Sequence, residues 1–282
     1  MADGAGGALA ITGSTGRLGV RIARRLADAG AAQRLLVRDP SRAPQLPGAR
    51  LAEASYDDTD AARTALTGIE TVLMVSAEEN EHRGDVHKAF IDAAVDAGVR
   101  RLVYISFSGA APDTTFTLGR DHWATEEYLR ANGMATTMLR DNIYLDFVPM
   151  LIGEDGVIRG PAGDGRLAAV AQDDIADVAT AVLLDPARHE SAVYTLTGPE
   201  AISLDEAAAE LTRHTGREVR YQPETVEEAY ASRASTGAPQ WQLDAWVSTY
   251  IAIANGELAG VTDDVPRLTG HPATSLTELL TR

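Results

Sequence analysis

The sequence predicts an α/β protein built on a doubly wound parallel sheet (a Rossmann fold), followed by a smaller, mostly α C-terminal region. Between Ala8 and Leu139, short apolar runs alternate with stretches of helical periodicity. The runs are nearly continuous in apolar residues, as expected of parallel strands covered on both faces by crossover helices. The first run is joined to the first helical stretch by a turn in which Gly13, Gly16 and Gly19 follow the spacing G-x-x-G-x-x-G. Right-handed crossovers then place ligands outside the carboxyl ends of the strands.

In order, Ala8–Ile11 reads as the first strand. The helix after the glycine turn carries Leu18, Ile22 and Leu26 on one stripe, with Gly30 as its stop. Arg34–Val37 and Leu51–Ser55 read as the second and third strands. Asp58–Leu66 is a helix stopped by Gly68, and Thr71–Ser76 a buried strand. Asp85–Ala97 is a helix stopped by Gly98, and Arg101–Ser106 the fifth strand. A helix over Asp121–Ala131 ends at Asn132-Gly133, and Ala135–Leu139 is the sixth strand.

After Arg140 the rhythm changes. Pro149, Gly153, Gly156, Gly160, Pro161, Gly163 and Gly165 punctuate a loop-rich passage. Asp173-Asp174 can cap a helix over Ile175–Leu184, and Val193–Leu196 reads as one more strand. Three S/T-x-x-E capping boxes follow, at Ser203, Thr225 and Ser275. The expected organisation is an NAD(P)-binding domain over 1–150, joined by a strand near 193–198, and a substrate-binding region over 151–282 interleaved with it.

A formal net charge of −16 argues against a nucleic-acid or anionic-membrane binder, which needs clustered cations. With no cysteine there is no disulfide, thiolate catalyst or Cys-ligated zinc. His82 and His87 are not one helical turn apart, so no metal site is expected. Met1 to Gly7 has no basic or apolar leader pattern, and no apolar run reaches the roughly 20 residues that span a bilayer. The expected location is the cytoplasm, as a monomer or homodimer.

Glycines between strand and helix let the backbone approach a pyrophosphate whose charge the helix N-terminus stabilises. The end of the second strand reads the ribose: an acid suits NAD, an arginine the 2′-phosphate of NADP. Here that strand ends in Leu36-Val37-Arg38, and Arg17 lies inside the glycine turn. Both favour NADPH.

The stretches "TGSTGRLG", "VRDPSR", "VLMVS", "AAVDAGVRRLVYIS" and "TMLRDNIY" resemble the atypical short-chain dehydrogenase/reductases of the NmrA-like branch. The resemblance extends through "VYTLTGPEAISLDEAAAEL" to "LTGHPATSLTELL" and is closest to bacterial NADPH:quinone oxidoreductases of the second type. It implies that Gly13, Ser14, Thr15, Gly16, Arg17 and Leu18 wrap the pyrophosphate and adenosine, and that Arg38 takes the 2′-phosphate. Val75 and Ser76 would lie against the ribose and nicotinamide, with Ser106, Phe107 and Ser108 bordering the reacting ring. His122 stands where the wider superfamily has its catalytic lysine, and Asp141, Asn142, Ile143 and Tyr144 would line the substrate cleft. His122, Asp141 and Tyr144 are the residues expected to carry the chemistry.

The chain also departs from its relatives. It has no Tyr-x-x-x-Lys, the pair that passes a proton to a substrate oxygen in typical members. The quinone-reductase pattern tends to an Asn where Asp141 stands. Ser55 replaces an acid often found near the adenine, with Asp57 and Asp58 just beyond. Two readings follow. In the first, NADPH donates a hydride to a quinone or similar small electron-poor acceptor, with Phe107, Tyr144 and Phe147 available to stack on it; a quinone needs little acid catalysis. In the second, the chain is a non-catalytic NADP(H)-binding redox sensor. A nucleotide-sugar epimerase is disfavoured because it needs the tyrosine relay.

Overall fold

The computed structural model describes residues 8–282. The reading of Met1–Gly7 as free of a targeting signal falls on residues outside that range. In chain order the first elements are β1 (Leu9–Ile11), α1 (Arg17–Asp28), β2 (Gln33–Val37), β3 (Ala49–Glu53), α2 (Thr59–Leu66), β4 (Thr71–Val75) and α3 (Arg83–Asp96). There follow β5 (Arg101–Phe107), α4 (Thr117–Ala131), β6 (Ala135–Asp141), β7 (Val157–Gly160), β8 (Arg166–Leu167), α5 (Gln172–Leu184) and β9 (Val193–Leu196). Seven strands make one sheet in the order β3-β2-β1-β4-β5-β6-β9. The β1–β2, β1–β4, β2–β3 and β4–β5 pairs are parallel. Strand order reverses at β1, where chain-distant β4 pairs beside it. That switch point is where an open α/β sheet accepts ligands.

The expected elements form, with informative shifts. α4 begins four residues before the expected Asp121, taking Gly119 into its first turn. α5 begins at Gln172, so Asp173 and Asp174 lie inside its first turn rather than capping it. There their charge still favours the helix N-terminus, and Asp174 accepts from the amide and hydroxyl of Thr274 at 2.6 and 2.8 Å.

The chain separates into two compact units. One contains the residues up to Ser106, Ala124–Leu139 and Ile175–Tyr194; the other contains Phe107–Trp123, Arg140–Asp174 and Thr195–Arg282. The division is therefore not a cut at residue 150. Leu129 of α4 and Met138 of β6 pack into the first core, with Ala10, Val72, Phe90 and Tyr104. Phe107 and Leu145, on the chain leaving β5 and β6, pack into the second core with Ile158 and Leu211.

The second unit is richer in structure than its glycines suggested. It adds β10 (Ile202–Ser203), α6 (Leu204–Thr215), β11 (Arg220–Pro223), α7 (Val226–Arg233), α8 (Gln240–Ala254), α9 (Asp264–Thr269) and α10 (Leu276–Thr281). All three capping boxes are made, and they open α6, α7 and α10. β7 pairs in parallel with β11, and β8 antiparallel with β10. Gly160 ends β7 where a Cβ would lie 2.3 Å from the Tyr250 ring of α8. That glycine marks close packing, not a loop.

Candidate functional site

The three glycines of the β1–α1 turn do different work. Gly13 has φ +65°, and a Cβ there would meet the Val75 Cβ at 3.0 Å. Gly16 is the N-cap of α1, and among the described residues no side-chain hydrogen bond caps that helix end. Gly19 allows α1 to sit on the turn: a Cβ would lie 2.2 Å from the Gly13 carbonyl oxygen. Ser14 is fully buried and its hydroxyl oxygen has no hydrogen-bond partner. A positive helix end without a capping side chain, beside a buried orphan hydroxyl, fits a phosphate group.

A cavity of about 410 Å³ opens at this turn. Its walls are the carboxyl ends of four neighbouring strands: Thr12 and Gly13 after β1, Leu36 to Arg38 at β2, Ala54 to Asp57 after β3, and Val75 to Asn80 after β4. Of the residues the sequence proposes for the cofactor, Thr15, Gly16, Arg38, Val75 and Ser76 line it with Gly13. Ser14, Arg17 and Leu18 do not. Arg17 is exposed at the start of α1, and the Leu18 side chain is 4% exposed and belongs to the core. Arg38 is exposed at the rim, with its guanidinium 3.5 Å from Glu78. Asp57 is held below the usual carboxylate range by a Ser55 hydrogen bond, with the Arg38 charge adding to it. Asp58 instead caps α2, accepting from the Ala61 amide at 3.0 Å.

Beneath the cavity lies a polar network that the sequence reading missed. The Tyr56 hydroxyl donates to Thr12 Oγ1 and lies 2.5 Å from the Val75 carbonyl oxygen. Thr12 in turn accepts from the Val75 amide at 2.9 Å, joining β1 to β4. Burial pushes the Tyr56 phenol well above its ordinary range, so it stays a donor. Its ring packs on Phe90 at 4.5 Å and meets the His87 imidazole edge-on at 6.3 Å. Ser106, expected beside a reacting ring, is fully buried and donates to Glu126 Oε1 at 2.6 Å. Arg130 bonds the other Glu126 oxygen at 2.8 Å. A buried carboxylate must find such donors, and Ser106 is committed to it.

Phe107, Ser108, His122, Asp141 and Tyr144 belong to the second unit, where they group. The Ser108 amide donates to the Asp141 carbonyl at 2.8 Å. The Asp141 carboxyl hydrogen-bonds Tyr144; its Oδ2 has no partner, and burial raises its pKa well above the carboxylate norm. Burial thus favours the protonated form of Asp141. Tyr144 meets Phe147 at 5.3 Å between ring centres, and Phe147 is 37% exposed. Phe107 is a core residue instead, packed on Phe116 at 4.8 Å, and is not displayed for stacking. His122 is 7% exposed, with its ring 6.0 Å from that of Phe107. Asn142 is also committed: Nδ2 donates to the Leu258 carbonyl at 3.0 Å and Oδ1 accepts from the Ile143 amide. Among the described residues, no cluster of His, Cys, Asp or Glu could hold a metal.

Comparison with known proteins agrees with this geometry. The family model described as the NmrA-like family matches residues 6–236. Quinone oxidoreductase 2 of Escherichia coli is 35% identical, with 96% of each chain covered. The NAD(P)H azoreductase of Xenophilus azovorans is 34% identical, with 95% of each covered. The crystal structure of the NADPH-dependent quinone oxidoreductase QOR2 from Escherichia coli, complexed with NADPH, superposes with a TM-score of 0.89 at 33% identity. It covers 97% of this chain and 98% of that one. With its strand order, glycine turn and cleft alike in place, the chain belongs to the NmrA-like family.

Proposed function

We propose that this chain is an NADPH-dependent oxidoreductase that reduces quinones or similarly flat, electron-poor small molecules. One observation carries the reading: an uncapped helix N-terminus behind Gly13 and Gly16 opens into the switch-point cleft, with Arg38 on its rim. The first two features suit a pyrophosphate, and the arginine suits a 2′-phosphate. Family membership supports the assignment, as do two relatives of nearly full coverage named for quinone and azo reduction.

In this reading Gly13, Thr15 and Gly16 hold the pyrophosphate, Arg38 the 2′-phosphate, and Val75 and Ser76 the wall beyond. Bound there, NADPH supplies a hydride. Reduction of a quinone to a hydroquinone takes up one hydride and one proton. Asp141, whose protonated form burial favours, and the Tyr144 hydroxyl bonded to it are the proton-handling pair. The exposed Phe147 beside Tyr144 offers an aromatic face to a flat acceptor. Among the described residues, no helix is long and apolar enough to cross a membrane. We place the protein in the cytoplasm, acting on a small acceptor with no nucleic-acid or membrane partner, as a monomer or homodimer.

The test is cofactor binding followed by turnover. NADPH binds more tightly than NADH, and Arg38→Ala removes most of the difference. A charge-assisted phosphate bond is worth about 1.5–3 kcal/mol, and the exposure of Arg38 points to the lower end, roughly tenfold. Saturating NADPH with a quinone panel gives oxidation above the enzyme-free rate, with a primary isotope effect from NADPH deuterated at the transferred position. Tight NADPH binding without oxidation of any acceptor would replace the enzyme by the sensor.

A further inference from the structure

We infer that His87 is a positioning residue for the cofactor cleft: from α3 it holds the loop over residues 76–80, which forms the β4 wall, in place through its imidazole. The inference rests on the reading of that cleft as the NADPH site. His87 Nε2 accepts from the Ala77 amide at 2.9 Å, and Nδ1 lies 2.9 Å from Thr125 Oγ1 on α4. An amide proton pointing at Nε2 requires that nitrogen to be unprotonated. The ring is therefore neutral, with its proton on Nδ1 facing Thr125. Both ring nitrogens are used, and the side chain is fully buried.

The surroundings favour the same state. Tyr104 and Tyr56 meet the ring edge-on at 5.8 and 6.3 Å. Burial, with Arg83 adding to it, pushes the imidazole down to about 3. The contact thus persists through the physiological range.

The loop needs such an anchor because most of its other bonds are local. Asn80 Nδ2 donates to the Glu78 carbonyl and Asn80 Oδ1 accepts from the His82 amide, both at 2.9 Å. These bonds shape the turn. The His87 bond instead ties Ala77, in the cavity wall, to a helix side chain ten residues on. Through Thr125 the tie continues to α4, where the next residue, Glu126, accepts from Ser106 at the end of β5. One turn of α4 thus braces the chain leaving β4 and the end of β5.

The experiment compares wild type, His87→Leu, His87→Gln and Thr125→Val. NADPH affinity is measured by direct titration, and amide exchange at residues 76–80 is followed without cofactor. Wild type must first bind NADPH; if it does not, the functional reading fails rather than this one. His87→Leu leaves the Ala77 amide without its acceptor. It is expected to weaken NADPH about tenfold and to speed exchange at Ala77, while kcat stays within about twofold. His87→Gln restores an acceptor and recovers most of the affinity. Thr125→Val removes the partner of Nδ1, together with a hydrogen-bond partner of the Tyr104 hydroxyl, while leaving the Nε2 acceptor in place, and weakens NADPH about threefold. If His87→Leu does not fold, Thr125→Val and His87→Gln carry the test. Wild-type affinity and Ala77 exchange in Thr125→Val and in whichever His87 variant lacks the acceptor overturn the inference. So does a loss in His87→Leu that His87→Gln does not rescue.

Discussion

Replacing Gly19 by alanine separates helix propensity from the geometry of the cofactor turn. Gly19 lies within α1, where alanine is favoured over glycine by about 1 kcal/mol. On propensity alone the variant is more stable. The structure gives the opposite sign. An added Cβ falls 2.2 Å from the Gly13 oxygen, 2.5 Å from its carbonyl carbon and 3.0 Å from the Ser14 nitrogen. Ordinary carbon–oxygen contacts begin at about 3.3 Å, so helix or turn must move by about 1 Å. Neither has room: Gly13 backs onto Val75, and its oxygen accepts from the Gly16 amide at 2.9 Å. Overpacking of this kind costs about 1–3 kcal/mol, enough to cancel or exceed the propensity gain.

The larger effect is on binding, because the displaced atoms are those that would face the phosphate in the proposed site. A misplacement of about 1 Å is worth roughly 100-fold in a well-oriented site. NADPH affinity in Gly19→Ala is expected to fall about 10- to 100-fold, with stability equal to or below wild type. Gly84→Ala is the control, since that glycine lies in α3 with nothing within 4 Å of a Cβ. It gains up to about 1 kcal/mol and leaves binding alone. The assays are urea melts and NADPH titration on all three proteins. A Gly19→Ala protein that is more stable than wild type and binds NADPH equally well would refute the close-approach argument.

Two further outcomes follow from side chains. Because burial raises the Asp141 pKa, the folded state keeps a proton that the unfolded chain releases above about pH 4. The stability this gives is complete below that pH and is lost as pH rises toward the folded pKa. Asp141→Asn removes the titration, so urea melts should show the variant's stability relative to wild type growing between pH 5 and pH 8. An offset that is the same at both pH values counts against a proton-holding Asp141. Glu78→Gln removes the carboxylate that faces Arg38 across 3.5 Å. Exposed pairs are worth only about 0–1 kcal/mol, so NADPH affinity should rise about two- to fivefold and NADH affinity stay level. An equal change for both cofactors would show that Glu78 does not act on the phosphate end.

The first half of the fold was legible because its signals are local and mutually consistent. Strands buried on both faces are written as unbroken apolar runs, such as Val72, Leu73, Met74 and Val75 of β4. Gly30 and Gly98 end their helices at φ +78° and +79°, with open space where a Cβ would be. Such glycines are present for conformation alone, and so they punctuate the sequence correctly. In the second unit a glycine can mean something else. Gly160 lies in a strand whose partner, β11, is about sixty residues away, and it is there to admit Tyr250. Read locally it looks like part of a loop. α8 went unread for a related reason: its N-cap is Pro239, with no side-chain bond to announce it.

The site divides along the same line. Groups that bind through the backbone leave a trace in the sequence, because only glycine permits the approach. Gly13, Gly16 and Gly19 stand out in the sequence for that reason, as does Arg38 by its place after β2. Groups that act through buried side chains leave a fainter one. Ser106 lies in the strand expected to end with it, yet its hydroxyl is spent on Glu126, twenty residues away. His87 did carry a signal, since it shares the buried stripe of α3 with Arg83, Phe90, Ile91 and Ala94. A histidine on such a stripe must spend both nitrogens inside the protein, because burying an unmet polar group costs about 1–3 kcal/mol. The stripe therefore announces that His87 has two partners. Only the fold, by bringing Ala77 and Thr125 to it, says that one of them stands in the wall of the candidate cleft.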